Sequence, residues 1–209
     1  MLRGKNSRKI LAAVVLVLTS TIATLLSRKY DLGPARPSPE FRTLGPKTAS
    51  IQIYEYTDFA CPACRAAQEQ VTAMRKVYPD SVRVHFKHYP LITMHPWSLH
   101  AAAYADCAGE QGKFEEYAKL LFENQEKWSQ SKEEPVEFAE YVKALDLDQA
   151  AFRKCAEDPA TARRVQLDIS EGDLRGVDGT PTFFINGKRA VGGLQFLEQV
   201  KHFDALLKK

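Results

Sequence analysis

From residue 51 onward the chain alternates between two hydrophobic rhythms. Ile51 and Ile53 alternate with Gln52 and Tyr54, and Val82, Val84 and Phe86 alternate with Arg83, His85 and Lys87, the period of two that marks strands. Residues 65–78 between them have helical composition and stop at Pro79, so the three segments predict a βαβ unit, whose crossover usually joins parallel strands. Near the other end, apolar residues 182–185 and 190–191 flank Asn186-Gly187, a strong hairpin signal. Phe196, Val200, Phe203 and Leu207 then fall on one stripe of a closing helix that should cover the sheet.

The middle of the chain, residues 96–176, lacks a strand pattern. Phe114, Tyr117, Ala118 and Leu121 keep helical spacing, as do Phe138, Tyr141, Val142 and Leu145. Asp148 is suited to cap a helix, and Asp158-Pro159 to supply a cap followed by a first helical residue. The expectation is an α/β fold with four or five helices inserted: a first part at 49–95, the helical insertion at 96–176 and a second part at 177–209.

The first 48 residues read differently. Residues 10–26 form an uncharged, mostly apolar run behind a basic flank, the order of a secretory signal peptide or a signal-anchor. Seventeen residues at about 1.5 Å each reach roughly 25 Å, slightly short of a hydrocarbon core and longer than most signal cores. Residues 1–29 are therefore expected to be either an uncleaved anchor or a cleaved signal, with the remainder exported. Pro34, Pro37, Pro39 and Pro46, with Gly33 and Gly45, make 30–48 a linker, and the folded part is expected to start near Ala49. The formal charge of +3 comes from this end, because six basic residues and no acidic one precede Tyr30. Without them the balance is 23 basic against 26 acidic, which argues against a nucleic-acid surface.

Candidate chemistry centres on Cys61-Pro62-Ala63-Cys64, at the junction between the first strand and its helix. Unpaired N–H groups at a helix start stabilise a thiolate, and Pro62 suits the first helical position because it has no donor to waste. Cys64 falls one turn deeper, so Cys61 is the expected nucleophile and Cys64 the resolving thiol. Glu55, six residues upstream, would accept and return the Cys64 proton if it points beneath the helix; otherwise it is a solvated or edge glutamate. Gly179-Thr180-Pro181 precedes the hairpin strand. With a cis bond, this loop would offer the Thr180 backbone to an extended substrate peptide; with a trans bond, Pro181 would merely start an edge strand.

These features together resemble the bacterial DsbA-like thiol-disulfide oxidoreductases, thioredoxin folds with a helical insertion. The resemblance covers residues 49–208. It rests on Glu55, on Asp58-Phe59-Ala60-Cys61-Pro62-Ala63-Cys64, on Phe86-Lys87-His88-Tyr89-Pro90-Leu91, on Gly109-Glu110-Gln111-Gly112-Lys113-Phe114, and on the segment from Gly179-Thr180-Pro181 to Asn186-Gly187. It implies that Pro181 is cis and that Glu55 is the buried acid near Cys64. The strongest oxidants of the family carry histidine where Ala63 stands, so the resemblance implies a milder oxidant here.

Because the CxxC pair is reserved for exchange, Cys107 and Cys155 are left to pair, and in an oxidising compartment a structural disulfide is expected; the alternative is two separate buried thiols. His85, His88, His95, His100 and His202 have no metal-ligand spacing, so no metal and no cofactor beyond the redox-active disulfide is expected. The expected function is disulfide formation in exported cysteine-containing proteins, as a monomer, with a DsbB-like or VKOR-like quinone-coupled membrane partner implied by the resemblance. Reduction or isomerisation of disulfides is the main alternative. Copper or zinc handling by the CxxC pair, or peptide binding without turnover, are others.

Overall fold

The computed structural model describes residues 33–208 and, apart from these, Val15 alone. Apart from Val15, the apolar run 10–26 lies outside the described residues, and among those described no helix is long and apolar enough to cross a membrane.

Alternation builds the central sheet as the sequence predicts. Strand β2 (Ile51–Thr57) runs parallel to β3 (Val82–His88), and the crossover between them is α1 (Pro62–Val77). A short edge strand β1 (Thr43–Leu44) lies antiparallel to β3, while β4 (Thr182–Ile185) pairs antiparallel with both β2 and β5 (Lys188–Val191), giving the order β1-β3-β2-β4-β5. Asn186 and Gly187 turn the β4–β5 hairpin with φ of 46° and 85°, the left-handed conformations that an Asn-Gly type I′ turn uses. Asn186 also fixes the register of β4 against β2: its Oδ1 accepts from the Gln52 N–H at 2.8 Å, and its own N–H donates to Gln52 O at 2.9 Å.

The two faces of the sheet are covered differently. Ile51, Ile53, Glu55 and Thr57 share one face, where the isoleucines enter a core with Cys64, Ala67, Val71 and Met74 of α1. Each fully buried aliphatic side chain contributes about 1.5–3 kcal/mol to this packing. Helix α8 (Gly192–Val200) lies on the same face, with the Phe196 and Phe183 rings 4.5 Å apart. On the other face, Gly172 passes so close to Tyr56 and Tyr89 that a Cβ there would lie 2.7 Å from the Tyr89 ring.

Between β3 and β4 come α2 (Ser98–Glu110), α3 (Phe114–Glu123), α4 (Gln125–Trp128), α5 (Val136–Ala144), α6 (Gln149–Glu157) and α7 (Pro159–Leu174). That is six helical segments among the described residues, where periodicity predicts four or five; the additional one is the single turn α4, too short to show a period. Asp148 and Asp158 cap α6 and α7 by accepting from N–H groups of the first turns, each worth about 1 kcal/mol. The helical core is continuous with that of the sheet through Phe59 against Phe122 (5.0 Å) and Phe86 against Phe114 (5.3 Å).

Two expectations are corrected. The compact unit begins at Ala35 rather than near Ala49, because Arg42 is buried within the Pro-rich stretch. Its guanidinium donates to Phe86 O at 3.1 Å, to Asp168 and, as an ion pair at 3.3 Å, meets Asp106. The closing helix is interrupted at 201–202, with α9 (Phe203–Leu207) after α8. Phe203 turns into the core against the Tyr78 ring, 5.6 Å away, whereas Leu207 stays partly exposed.

Candidate active site

Cys61 occupies the N-cap of α1 with φ −83° and ψ 121°, and Pro62 takes the first helical position. The Cys61 carbonyl accepts from the N–H groups of Cys64 (3.0 Å) and Arg65 (3.2 Å), so the first turn closes on the cysteine itself. The Cys61 side chain therefore leaves the backbone at the helix start, close to the Ala63 and Cys64 N–H groups. Both cysteines of the pair are thiols in this structure.

Their environments drive the two thiols apart. The neighbouring Cys64 thiol, with Thr180 and the Cys64 and Ala63 N–H groups close by, outweighs burial and lowers Cys61 to about 5. Cys64 is fully buried, and burial followed by its neighbour Cys61 pushes it well above the ordinary thiol range, although the Asp58 N–H donates to its sulfur at 3.5 Å. One cysteine is a ready thiolate and the other holds its proton.

Glu55 points inward. It shares the face of Ile51 and Ile53, lies beside Phe86 on one side and Phe183 on the other, and is fully buried. No hydrogen bond reaches either carboxyl oxygen among the described residues, and burial pushes the group up to about 8, opposed by the nearby Thr57 hydroxyl. Because Cys64 lies in the first turn of α1, just beyond the end of β2, it covers the same end of the strand as Glu55.

The Thr180–Pro181 bond is cis. Thr182 pairs with Tyr56, so Pro181 arrives at the end of β2, beside the helix start. The Cys61 Sγ lies 3.5 Å from Thr180 O, which brings the first cysteine and the proline loop together. Ala63 and Pro62 are exposed on the first turn. Cys107 and Cys155 form a disulfide that joins α2 to α6, within the helical segments.

Two residues escape sequence reasoning. The Asp58 carboxylate accepts from Ala60 N (2.8 Å), Ser98 Oγ (2.6 Å) and Leu91 N (2.9 Å), and meets His95 Nδ1 (2.7 Å), fastening the cysteine loop to the loop after β3 and to the start of α2. Its Asx-turn position, two residues before Ala60, is the local signal for part of this role. Gln125 of α4 donates to Phe59 O (2.7 Å) and Cys61 O (3.0 Å), and nothing in its sequence neighbourhood announces it. His88 and His95 are buried and hydrogen-bonded, His88 meeting Asp106 at 2.8 Å. No cluster of three or more metal-ligating side chains occurs among the described residues.

Comparison with known proteins agrees with this geometry. A family model described as thioredoxin matches residues 38–208. Among curated proteins, the chain is 39% identical over 148 residues to the Na(+)/H(+) antiporter NhaA 3 of Salinispora tropica and 30% identical over 148 residues to the NhaA of Herminiimonas arsenicoxydans. Each match covers 71% of this chain and 22% of the relative, so the chain spans only that fraction of their length. Among solved structures, alpha-DsbA1 of Wolbachia pipientis superposes with a TM-score of 0.70 at 22% identity, over 82% of this chain and 96% of that one. DsbA2 of Pseudomonas aeruginosa gives 0.65 at 24% identity, over 81% and 96%, and BdbD of Bacillus subtilis 0.67 at 20%, over 84% and 97%. The chain belongs to the thioredoxin family and has the fold of its DsbA-like members.

Proposed function

We propose that this protein is an extracytoplasmic thiol-disulfide oxidoreductase that forms disulfides in exported cysteine-containing proteins through Cys61 and Cys64. The observation that carries the reading is the placement of Cys61 at the N-cap of α1, 3.5 Å from the carbonyl before cis-Pro181, with Cys64 fully buried one turn on; this setting lowers the Cys61 thiol and raises that of Cys64. A sulfur with a low pKa is a good leaving group, so a disulfide involving Cys61 is readily broken there.

In the forward direction, a substrate thiolate attacks Cys61 Sγ and the Cys61–Cys64 bond breaks. Cys64 departs with the electron pair and takes a proton from Glu55. A second substrate thiolate then attacks the substrate sulfur of the mixed disulfide and expels Cys61 as thiolate. The substrate loses two electrons and two protons, and the enzyme is left reduced. Thr180 and Pro181 hold the substrate backbone as an added strand edge, while Pro62 and Ala63 modulate the cysteine they follow. Reoxidation falls to a DsbB-like or VKOR-like membrane protein that passes the electrons to a quinone.

The apolar run 10–26 supports tethering at the outer face of the cytoplasmic membrane. The match to segments of proteins named as Na(+)/H(+) antiporters supports work beside a membrane. Ala63, in place of a thiolate-stabilising side chain, favours reduction or isomerisation of exported disulfides as the second reading. The test is direct: the oxidised protein should convert a reduced dithiol peptide to its disulfide in one-to-one stoichiometry, and Cys64→Ala, offered the peptide in its disulfide form, should retain the mixed disulfide that Cys61→Ser cannot form. Absence of any Cys61 adduct would defeat the reading.

A further inference from the structure

The helical segments between β3 and β4 touch the cysteine loop at one place in particular. There Phe122, near the end of α3, packs its ring 5.0 Å from Phe59, and the first residue of α4, Gln125, extends its amide to Phe59 O and Cys61 O. Gln125 is buried, and its Nε2 carries two hydrogens for the two carbonyls. The turn that carries it is rigid: Trp128 is fully buried, donates from Nε1 to Leu121 O at 2.9 Å and packs 5.3 Å from Phe138. The next residue, Glu126, meets Arg65 of α1 at 3.1 Å.

We infer that Gln125 is a positioning residue, the contact through which the helical insertion holds the Cys61 backbone and so keeps its sulfur aimed at the N-terminus of α1. The inference rests on the disulfide-exchange reading and extends it. The groups that stabilise the Cys61 thiolate, the Cys64 thiol and the N–H groups of the first turn, act only if the N-cap backbone keeps its place. The Cys61 carbonyl is already shared by two helix N–H groups, and the Gln125 amide ties it, together with Phe59 O, to the helical segments. Removing that amide frees residues 59–61 to shift, which separates the sulfur from its donors without altering any of them.

The experiment follows thiolate absorbance and alkylation rate against pH in the reduced full-length protein, comparing wild type with Gln125→Met and Gln111→Met. Gln111 is the control because it bridges helical segments away from the cysteines, bonding the Asp148 backbone in both directions. The thiolate midpoint of Gln125→Met should rise by about one pH unit, cutting alkylation near pH 5 roughly five-fold. That of Gln111→Met should stay in place even where its melting temperature falls. Gln125→Asn, which keeps the amide but is too short to reach both carbonyls, should lie between and serves if the Met variant fails to fold. An unchanged midpoint in both Gln125 variants, or an equal rise in Gln111→Met, would overturn the inference. A wild-type protein with no acidic midpoint would instead overturn the exchange reading beneath it.

Discussion

The Cys61 sulfur and the Thr180 carbonyl oxygen lie 3.5 Å apart across 119 positions of chain. The whole of α2 to α7 is threaded between them, yet pairing of β4 with β2 returns the chain to the same strand end. On the proposed function, an extended peptide hydrogen-bonded to the Thr180 backbone would present its cysteine directly to Cys61.

Glu55 should reveal itself through pH. Its carboxyl is raised to about 8 in the folded protein, so between the ordinary carboxylate range and that value the folded state keeps a proton that the unfolded state releases. Its contribution to stability is therefore complete at acid pH and declines as pH rises towards about 8. Glu55→Gln should flatten this decline and stabilise the fold by on the order of 3 kcal/mol at pH 7. It should also slow release of the mixed disulfide roughly ten-fold or more. Urea unfolding of both proteins across this range, with stopped-flow exchange, checks the pair; parallel stability curves would show that Glu55 does not carry the burden.

What could be read from the sequence followed local rules. Strand alternation, the Asn186-Gly187 turn and the Asp148 and Asp158 caps depend on neighbours a few residues away, and each takes the predicted form. Arg42, Asp58 and Gln125 could not be read in the same way, because their meaning lies in partners 126, 37 and 64 positions distant. The inward turn of Glu55 was formally legible, since it keeps the parity of Ile51 and Ile53. A carboxylate on an apolar face nevertheless contradicts burial preference, which left the choice open.

The polar lattice opposite α1 gives a stability prediction separate from catalysis. Asp168 accepts from Arg42, from Lys87 at 3.2 Å and from the His88 N–H at 3.1 Å, all buried. Asp168→Asn removes a carboxylate shared by Arg42 and Lys87, which keep Asp106 at 3.3 Å and Glu171 at 2.8 Å, and should cost about 1.5–3 kcal/mol in chemical denaturation. The thiolate midpoint of Cys61 should not move, because the lattice lies away from the helix start.

The Cys107–Cys155 disulfide spans 48 positions and constrains the unfolded chain accordingly. Replacing both residues with serine should lower stability by about 2–4 kcal/mol while leaving peptide oxidation by Cys61 and Cys64 within two-fold or so of wild type. Thermal unfolding and the dithiol-peptide assay measure the two effects. A loss of activity in a folded double variant would give this disulfide a catalytic part.

The measurement that bears most directly on the central claim is the equilibrium of the Cys61–Cys64 pair with a glutathione redox buffer. A Cys61 thiolate held at about 5 stabilises the reduced enzyme at neutral pH, so the pair should be markedly more oxidising than thioredoxin, with a potential between about −200 and −120 mV. A potential at or below that of thioredoxin, about −270 mV, would contradict an oxidase and make the protein a reductase of the same fold.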